Sequence, residues 1–408
     1  MTKKSSIFRD FDFLLFSSAL LLSFLGIIIV FSSVGGGKTP SSIFALRQVI
    51  WVGLGVVVMF FAFFTDAEWL VSKAKAIYVT SILLLVVLLI LGKLGLGFAR
   101  WFHIGSLSFQ PSEFAKIAYL IYAAQLLAKK VPQNYIELSI QLLIALIPAL
   151  LISAQPDLGT AFIFIPVMLI MLFWAGLKLR LFIALLAPLC FVALAFTHWW
   201  IPLVALVFLI VSLRLLNAHP QQIMVTSGIS VIFALASPLL WNYALRDYQR
   251  QRLLTLFNPS KDPLGSGYNI IQSQIAIGSG GFWGKGLMNG TQSKLLFLPE
   301  QHTDFIFPVL AEELGFLGVI LLLSFFAFII FRGTQIARRA TSPESSFLAM
   351  GIVGLISIQL FINIAMTIGL FPVTGITLPF ISYGGSSILL IFFCIGLLLG
   401  IEYRRHIF

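Results

Sequence analysis

The chain has 408 residues, of which 59% are hydrophobic and only 10% charged, with 40 Phe and a net charge of +11. Soluble domains carry about a quarter charged residues, so this composition excludes a cytosolic enzyme, a disordered protein and a secreted disulfide scaffold. It leaves an all-α polytopic membrane protein. The two cysteines, Cys190 and Cys394, each sit in an apolar run and give neither a disulfide framework nor zinc-ligand spacing.

A helix needs about 20 apolar residues to cross a bilayer, and runs with few or no charges mark the spans. Residues 13–37 follow a charged start, are too long for a signal-peptide core and lack a small-x-small end, so they predict a retained first helix. Residues 48–65 and 76–92 give the second and third spans. Residues 109–128 give a fourth despite Glu113 and Lys116, and 138–156 and 158–177 the fifth and sixth. A single helix over 181–213 would be about 50 Å long; the segment Thr197-His198-Trp199-Trp200-Ile201-Pro202 divides it into two spans. Residues 222–245 and 305–331 follow. Pro372, Pro379 and Gly384-Gly385 split the charge-free stretch 345–401 into the last two. The expectation is one membrane domain over 1–408 with about twelve transmembrane helices.

The basic residues set the orientation. With the N-terminus inside, the inner connections collect Lys3, Lys4, Arg9, Lys73, Lys75, Lys129, Lys130, Lys178, Arg180, Arg214, Arg332, Arg338, Arg339, Arg404 and Arg405, and the outer short ones only Lys38, Arg47, Lys93 and Arg100. The positive-inside rule then places both termini in the cytoplasm and makes 246–304 one large extracytoplasmic loop. The positive charge is this bias and not a nucleic-acid footprint. Gly284-Lys285 is followed by Gly286, so there is no Walker A motif, and Trp283 interrupts any GxGxxG pattern.

Ionisable groups in spans are costly and usually paired or functional. Glu113 and Lys116 share a helix face, either as a neutralising pair or as the lining of a polar cavity, which nearby Arg100, Trp101, Gln110 and Ser112 favour. Gln155-Pro156-Asp157-Leu158-Gly159-Thr160 offers Asp157 as a helix cap. The loop 246–304 is glycine-rich, and its backbone can cradle phosphate with Arg250, Arg252 and Lys285 as cationic partners. Its length points to function. Asp304 stands where the loop re-enters the membrane, beside Glu300 and His302. Desolvation there raises a carboxyl toward a general-base pKa; an N-cap is the structural alternative. Glu312-Glu313 have no partner recognisable in the sequence.

These segments together resemble the SEDS family (shape, elongation, division and sporulation). The resemblance rests on Arg100-Trp101, Phe109-Gln110-Pro111-Ser112-Glu113, the 155–160 segment, Asp247-Tyr248-Gln249-Arg250-Gln251-Arg252, Asp262-Pro263-Leu264-Gly265-Ser266-Gly267-Tyr268 and Gly278-Ser279-Gly280-Gly281. The longest match is Leu298-Pro299-Glu300-Gln301-His302-Thr303-Asp304-Phe305-Ile306-Phe307-Pro308, followed by Pro372-Val373-Thr374-Gly375 and Ser382-Tyr383-Gly384-Gly385-Ser386-Ser387. Gly290-Thr291-Gln292-Ser293 is closer to the RodA branch than to the FtsW branch. The family usually has ten spans, so this chain departs from it by a helical pair near 181–216.

The resemblance implies a peptidoglycan glycosyltransferase of the bacterial inner membrane. It would polymerise lipid II on the outer face for elongation and cell shape, releasing undecaprenyl pyrophosphate. Asp304 matches the family's essential aspartate, as general base or metal ligand. Arg250, Arg252 and Lys285 would hold pyrophosphate; Glu113 and Lys116 would line the cavity, with Trp101 at its rim. Arg100, Gln110, Ser279, Gly280, Glu300, His302, Thr303 and Ser382 complete the expected substrate contacts. No tightly bound cofactor is implied, though Mg²⁺ or Mn²⁺ suits an oxygen-rich pyrophosphate site. The implied partners are lipid II, the undecaprenyl-pyrophosphate-linked glycan, membrane lipids and a class B penicillin-binding protein. A lipid-precursor flippase or transporter, and a non-catalytic cell-wall scaffold, are the competing functions.

Overall fold

The structure is a computed structural model that describes residues 11–34, 41–94, 100–104, 107–198, 200–244, 247–257, 259, 266–295, 297–298 and 300–405. Gly35-Gly36-Gly37, Trp199, Asp262-Pro263-Leu264-Gly265 and Pro299 therefore lie outside the described residues.

Apolar runs become helices because a buried or lipid-facing backbone must satisfy its own hydrogen bonds. In chain order these are α1 (Phe13–Val34), α2 (Ser41–Phe64), the short α3 (Ala67–Ser72) and α4 (Ala74–Lys93). A two-stranded antiparallel hairpin, β1 (Phe102–Ile104) and β2 (Leu107–Phe109), precedes α5 (Pro111–Lys129). Then come α6 (Tyr135–Ala154), α7 (Leu158–Trp174), α8 (Leu179–Leu194), α9 (Trp200–Leu215) and α10 (Pro220–Leu239). The segment expected as a loop holds α11 (Asp247–Phe257), α12 (Ser266–Ser279) and α13 (Thr291–Lys294). The chain closes with α14 (Ile306–Arg339), α15 (Pro343–Thr367) and α16 (Gly385–Arg405).

Eight of the helices are long and apolar enough to cross a membrane, and α7, α8 and α9 are shorter apolar helices. Together with α5, which carries Glu113 and Lys116, these occupy the segments expected as spans. Their outward faces expose large apolar side chains, among them Phe61, Leu83, Phe208 and Leu235, the surface that lipid covers.

The main core joins α1, α2, α4 to α7 and α14 to α16, with α2 and α16 packed along one another. Helices α8 and α9 form with α10 a satellite around Phe191, Leu209 and Leu213. Tyr135 ties this satellite to the main bundle: its hydroxyl lies 2.7 Å from Thr226 Oγ1 and donates to the Gln222 carbonyl. One end of the bundle is closed by ion pairs. Arg332 Nε meets Asp12 Oδ2 at 2.6 Å, and Arg405 meets Glu402 at 3.3 Å.

Helix α14 has 34 residues and a break at Gly315, whose φ of 66° and ψ of −164° belong to a region open only to glycine. The break frees backbone groups, and the turn after α12 replaces their partners. Lys285 N and Gly286 N donate to the Glu312 and Glu313 carbonyls at 3.0 Å each, while Phe316 N donates to the Gly281 carbonyl at 2.9 Å. A buried helix interruption is stable only with such substitutes.

Candidate active site

At the end of the bundle opposite the Arg332–Asp12 pair lies a cavity of about 610 Å³. Segments distant in sequence wall it: Arg47 and Trp51 of α2, Arg100, Trp101 and Gln110 around the hairpin, Glu113 and Lys116 of α5, Asp157 and Thr160 at the start of α7, the turn Glu300–Asp304, Gln359 of α15, and the approach to α16.

The start of α7 is built around Asp157. Its carboxylate caps the helix, accepting from Thr160 N at 3.1 Å and Thr160 Oγ1 at 3.0 Å, and Gln110 Nε2 reaches it at 3.3 Å. The Arg100 guanidinium donates to the Gln155 carbonyl at 3.3 Å and to the Pro156 carbonyl, so it ties the hairpin to this corner. On α5, Lys116 Nζ and Glu113 Oε1 are 2.7 Å apart and both residues are buried; Glu113 Oε2 has no hydrogen-bond partner. Both sequence readings of this pair hold together, since it is a close ion pair and it faces the cavity.

The turn bearing Asp304 is held carbonyl by carbonyl. Tyr383 N donates to the His302 carbonyl at 2.9 Å, Ser382 Oγ to the Thr303 carbonyl at 2.7 Å, and Asn363 Nδ2 to the Asp304 carbonyl at 2.9 Å. Thr303 Oγ1 closes the turn on the Glu300 carbonyl at 3.1 Å. Opposite the carboxylate is Gly375, at φ 76°, where a Cβ would sit 3.1 Å from Asp304 Oδ2. The residue capping α14 is Phe305, without a side-chain cap bond, so Asp304 is not the N-cap. Among the described residues, nothing hydrogen-bonds to its carboxylate. Burial, then the neighbouring Glu300 and Asp157 carboxylates, push its pKa up to about 6, with Arg252 and Arg100 pulling the other way. It is therefore a carboxylate that can exchange a proton near neutral pH.

The structure does not bring every expected substrate contact to the cavity wall. Lys285 is engaged elsewhere: its ammonium meets the buried Glu312 carboxylate at 2.7 Å and donates to Ser279 Oγ at 2.7 Å and Thr291 Oγ1 at 2.8 Å. Glu312 also accepts from Thr291 N at 2.8 Å. Lys285 and Ser279 thus answer the unpaired Glu312 of the sequence, and Ser32 Oγ, 2.6 Å from Glu313 Oε1, answers Glu313. Gly280 packs beneath the Ala311 carbonyl. Arg250 Nη2 donates to the Asn242 carbonyl at 2.6 Å, and Arg250 lies away from the lining; Arg252 acts on Asp304 through its charge. Ser382 is a brace of the turn. The His302 ring packs edge-on to Phe44 at 5.0 Å, and burial lowers its pKa against the pull of Glu300.

Sequence reasoning missed Arg47, Trp51, Gln359, Asn363 and Tyr383. One signal was present: Gln359, Asn363 and Thr367 recur every four residues in the otherwise apolar stretch 358–368, and all three are buried. Beside the polar cavity, and sharing Trp51 and Glu113 with it, is an apolar one of about 370 Å³ lined by Val58, Phe114, Ile117 and Phe393. Among the described residues no three His, Cys, Asp or Glu side chains form a metal-holding group.

A family model described as a cell cycle protein, covering FtsW, RodA and SpoVE, matches residues 12–203 and 201–407, two segments that overlap in the first turn of α9. The chain is 37% identical over 361 residues to the peptidoglycan glycosyltransferase MrdB of Escherichia coli K12, covering 88% of this chain and 85% of that one. It is 34% identical over 430 residues to the peptidoglycan glycosyltransferase RodA of Treponema pallidum, covering 97% and 98%. Among solved structures, a chain described under structural coordination of polymerization and crosslinking by a peptidoglycan synthase complex superposes with a TM-score of 0.71. It is 26% identical and is matched over 97% of this chain and 98% of that one.

Proposed function

Because this chain belongs to the FtsW/RodA/SpoVE family and is an integral membrane protein, we propose that it is a peptidoglycan glycosyltransferase that polymerises lipid II. The carrying observation is the Asp304 carboxylate, presented into the polar cavity by a turn whose three carbonyls are pinned and with a pKa of about 6. The acceptor sugar hydroxyl gives its proton to Asp304 as its oxygen bonds to the anomeric carbon of the growing chain. The bond from that carbon to the pyrophosphate oxygen breaks, undecaprenyl pyrophosphate leaves with the electron pair, and the new link is β-1,4. Arg47 and Arg100 on the wall, with Arg252 close by, supply positive charge for the leaving group. The adjoining apolar cavity suits a polyprenyl chain.

A divalent ion such as Mg²⁺ would neutralise pyrophosphate charge. Asp304 and Glu300 could each give it an oxygen, with the remaining ligands from phosphate and water. The basic bias of the connections supports a cavity on the outer face of the bacterial inner membrane, with both termini in the cytoplasm. The likeness to a chain of a synthase complex supports a class B penicillin-binding protein as partner.

Purified protein incubated with lipid II and its class B partner is expected to give a ladder of glycan strands. Transfer of lipid II between leaflets of sealed vesicles with no ladder would instead identify a flippase, and neither activity a scaffold.

A further inference from the structure

Helix α15 carries two buried amides one turn apart. Asn363 faces the loops: its Nδ2 donates to the Asp304 carbonyl at 2.9 Å and the Ile376 carbonyl at 2.7 Å. Gln359, four residues earlier, faces the cavity. It is 1% exposed, and its side-chain carbonyl has no hydrogen-bond partner. Helix α5 packs against α15 and brings a second buried, unpartnered acceptor, Glu113 Oε2, to the same cavity.

A buried amide with an unmade hydrogen bond costs stability. Methionine, with the same unbranched length, would fill that volume without the cost. Two such acceptors on one cavity ask for donors from outside the chain. Lys116, on α5, is held by the other oxygen of Glu113 at 2.7 Å. A ligand group that brings its own O–H or N–H would satisfy both acceptors.

We propose that Gln359 is a substrate-binding residue whose side-chain carbonyl, together with Glu113 Oε2, accepts hydrogen bonds from hydroxyl or amide N–H groups of the saccharide part of the substrate. This rests on the glycosyltransferase reading above. It divides the cavity by chemistry: cations and Asp304 meet the pyrophosphate and the reacting hydroxyl, while the buried acceptors select a sugar rich in donors. A site built to hydrogen-bond a ligand loses affinity when one partner is removed.

The test is binding and stability measured together on the full chain in detergent micelles, with Gln359→Met and Gln359→Asn. An Asp304→Asn background stops turnover, so binding of lipid II can be read directly against undecaprenyl pyrophosphate, which lacks the sugar. The expected result for Gln359→Met is affinity for lipid II about tenfold weaker, affinity for undecaprenyl pyrophosphate unchanged, and an unchanged or higher melting temperature. In the Asp304 protein the same substitution raises KM more than it lowers kcat. Gln359→Asn, which keeps the amide but shortens its reach, falls between. Unchanged lipid II affinity in Gln359→Met overturns the inference alone. So does an equal loss for both ligands, or a lowered melting temperature in both variants, which makes the amide a structural brace. A parent protein that binds no lipid II overturns the functional reading and the inference with it.

Discussion

The Asn363 side-chain amide spans two loops, donating to the Asp304 carbonyl at 2.9 Å and to the Ile376 carbonyl at 2.7 Å from a position with no solvent exposure. The bond to Asp304 is one of three that tie the turn to the 363–383 segment, and it sets where the Asp304 carboxylate sits relative to Gly375. Replacing Asn363 by Leu leaves two carbonyls short of a donor, which costs about 1–3 kcal/mol for each that stays dry. Asn363→Leu is expected to lower the melting temperature in detergent and to reduce kcat at least tenfold. Unchanged kcat would show that the turn holds Asp304 without it.

The pKa of Asp304 makes two linked predictions. A base that ionises near pH 6 is lost as pH falls, so kcat/KM should drop tenfold per pH unit below about 6 and level off above. Its stability effect has the opposite sense. Because the folded pKa lies above the ordinary value of 3.8, the folded state binds the proton more tightly than the unfolded one. The protein therefore loses about 3 kcal/mol as pH rises from about 4 through 6. Asp304→Asn should remove that pH dependence and melt higher at pH 7; a mutant that melts lower would contradict the burial assigned to this carboxyl.

Lys285 and Glu312 offer a test of structural against substrate roles. Glu312 has no exposed surface, and Lys285 Nζ sits 2.7 Å from it. Lys285→Met leaves a buried carboxylate short of its counter-charge, at a cost of about 2–4 kcal/mol. Adding Glu312→Gln should recover more than half of the lost stability and most of the lost activity. A double mutant that is stable but inactive would return Lys285 to the pyrophosphate.

Gly315 interrupts α14 at φ 66°, with the Gly284 backbone nitrogen 2.2 Å from where a Cβ would be. Gly315→Ala brings that clash together with a backbone conformation costing about 1–3 kcal/mol. It is expected to loosen the bonds from Lys285 N and Gly286 N to α14, seen as faster amide hydrogen exchange over 281–288. Unaltered exchange would mean that the turn does not depend on the break.

What the sequence made legible follows from physics that acts locally. The membrane helices could be placed because a bilayer crossing demands a long apolar run, and Pro372, Pro379 and Gly384-Gly385 marked the interruption that supplies the Asp304 braces. Asp304 stood out because a carboxylate at a membrane boundary is costly. Helices α11 and α12 were hidden, since a polar segment rich in Gly and Gln gives no such run. Lys285 reads as a pyrophosphate ligand in the sequence because its partner, Glu312, is 27 residues away on α14. Gln359 and Asn363 carry no charge, so the cost of ionisable groups in a membrane does not mark them. Only packing shows that one holds the loops and the other faces the cavity.

Polymerisation by this mechanism depends on Asp304 as the group that takes the proton. The most direct measurement compares the purified protein with its Asp304→Asn variant on lipid II, each bound to the class B partner and each shown by melting to be folded. A base at Asp304 gives a glycan ladder from the unaltered chain and a loss of at least a hundredfold in the variant, with partner binding retained. A variant that is folded, partner-bound and polymerises at an undiminished rate would contradict it.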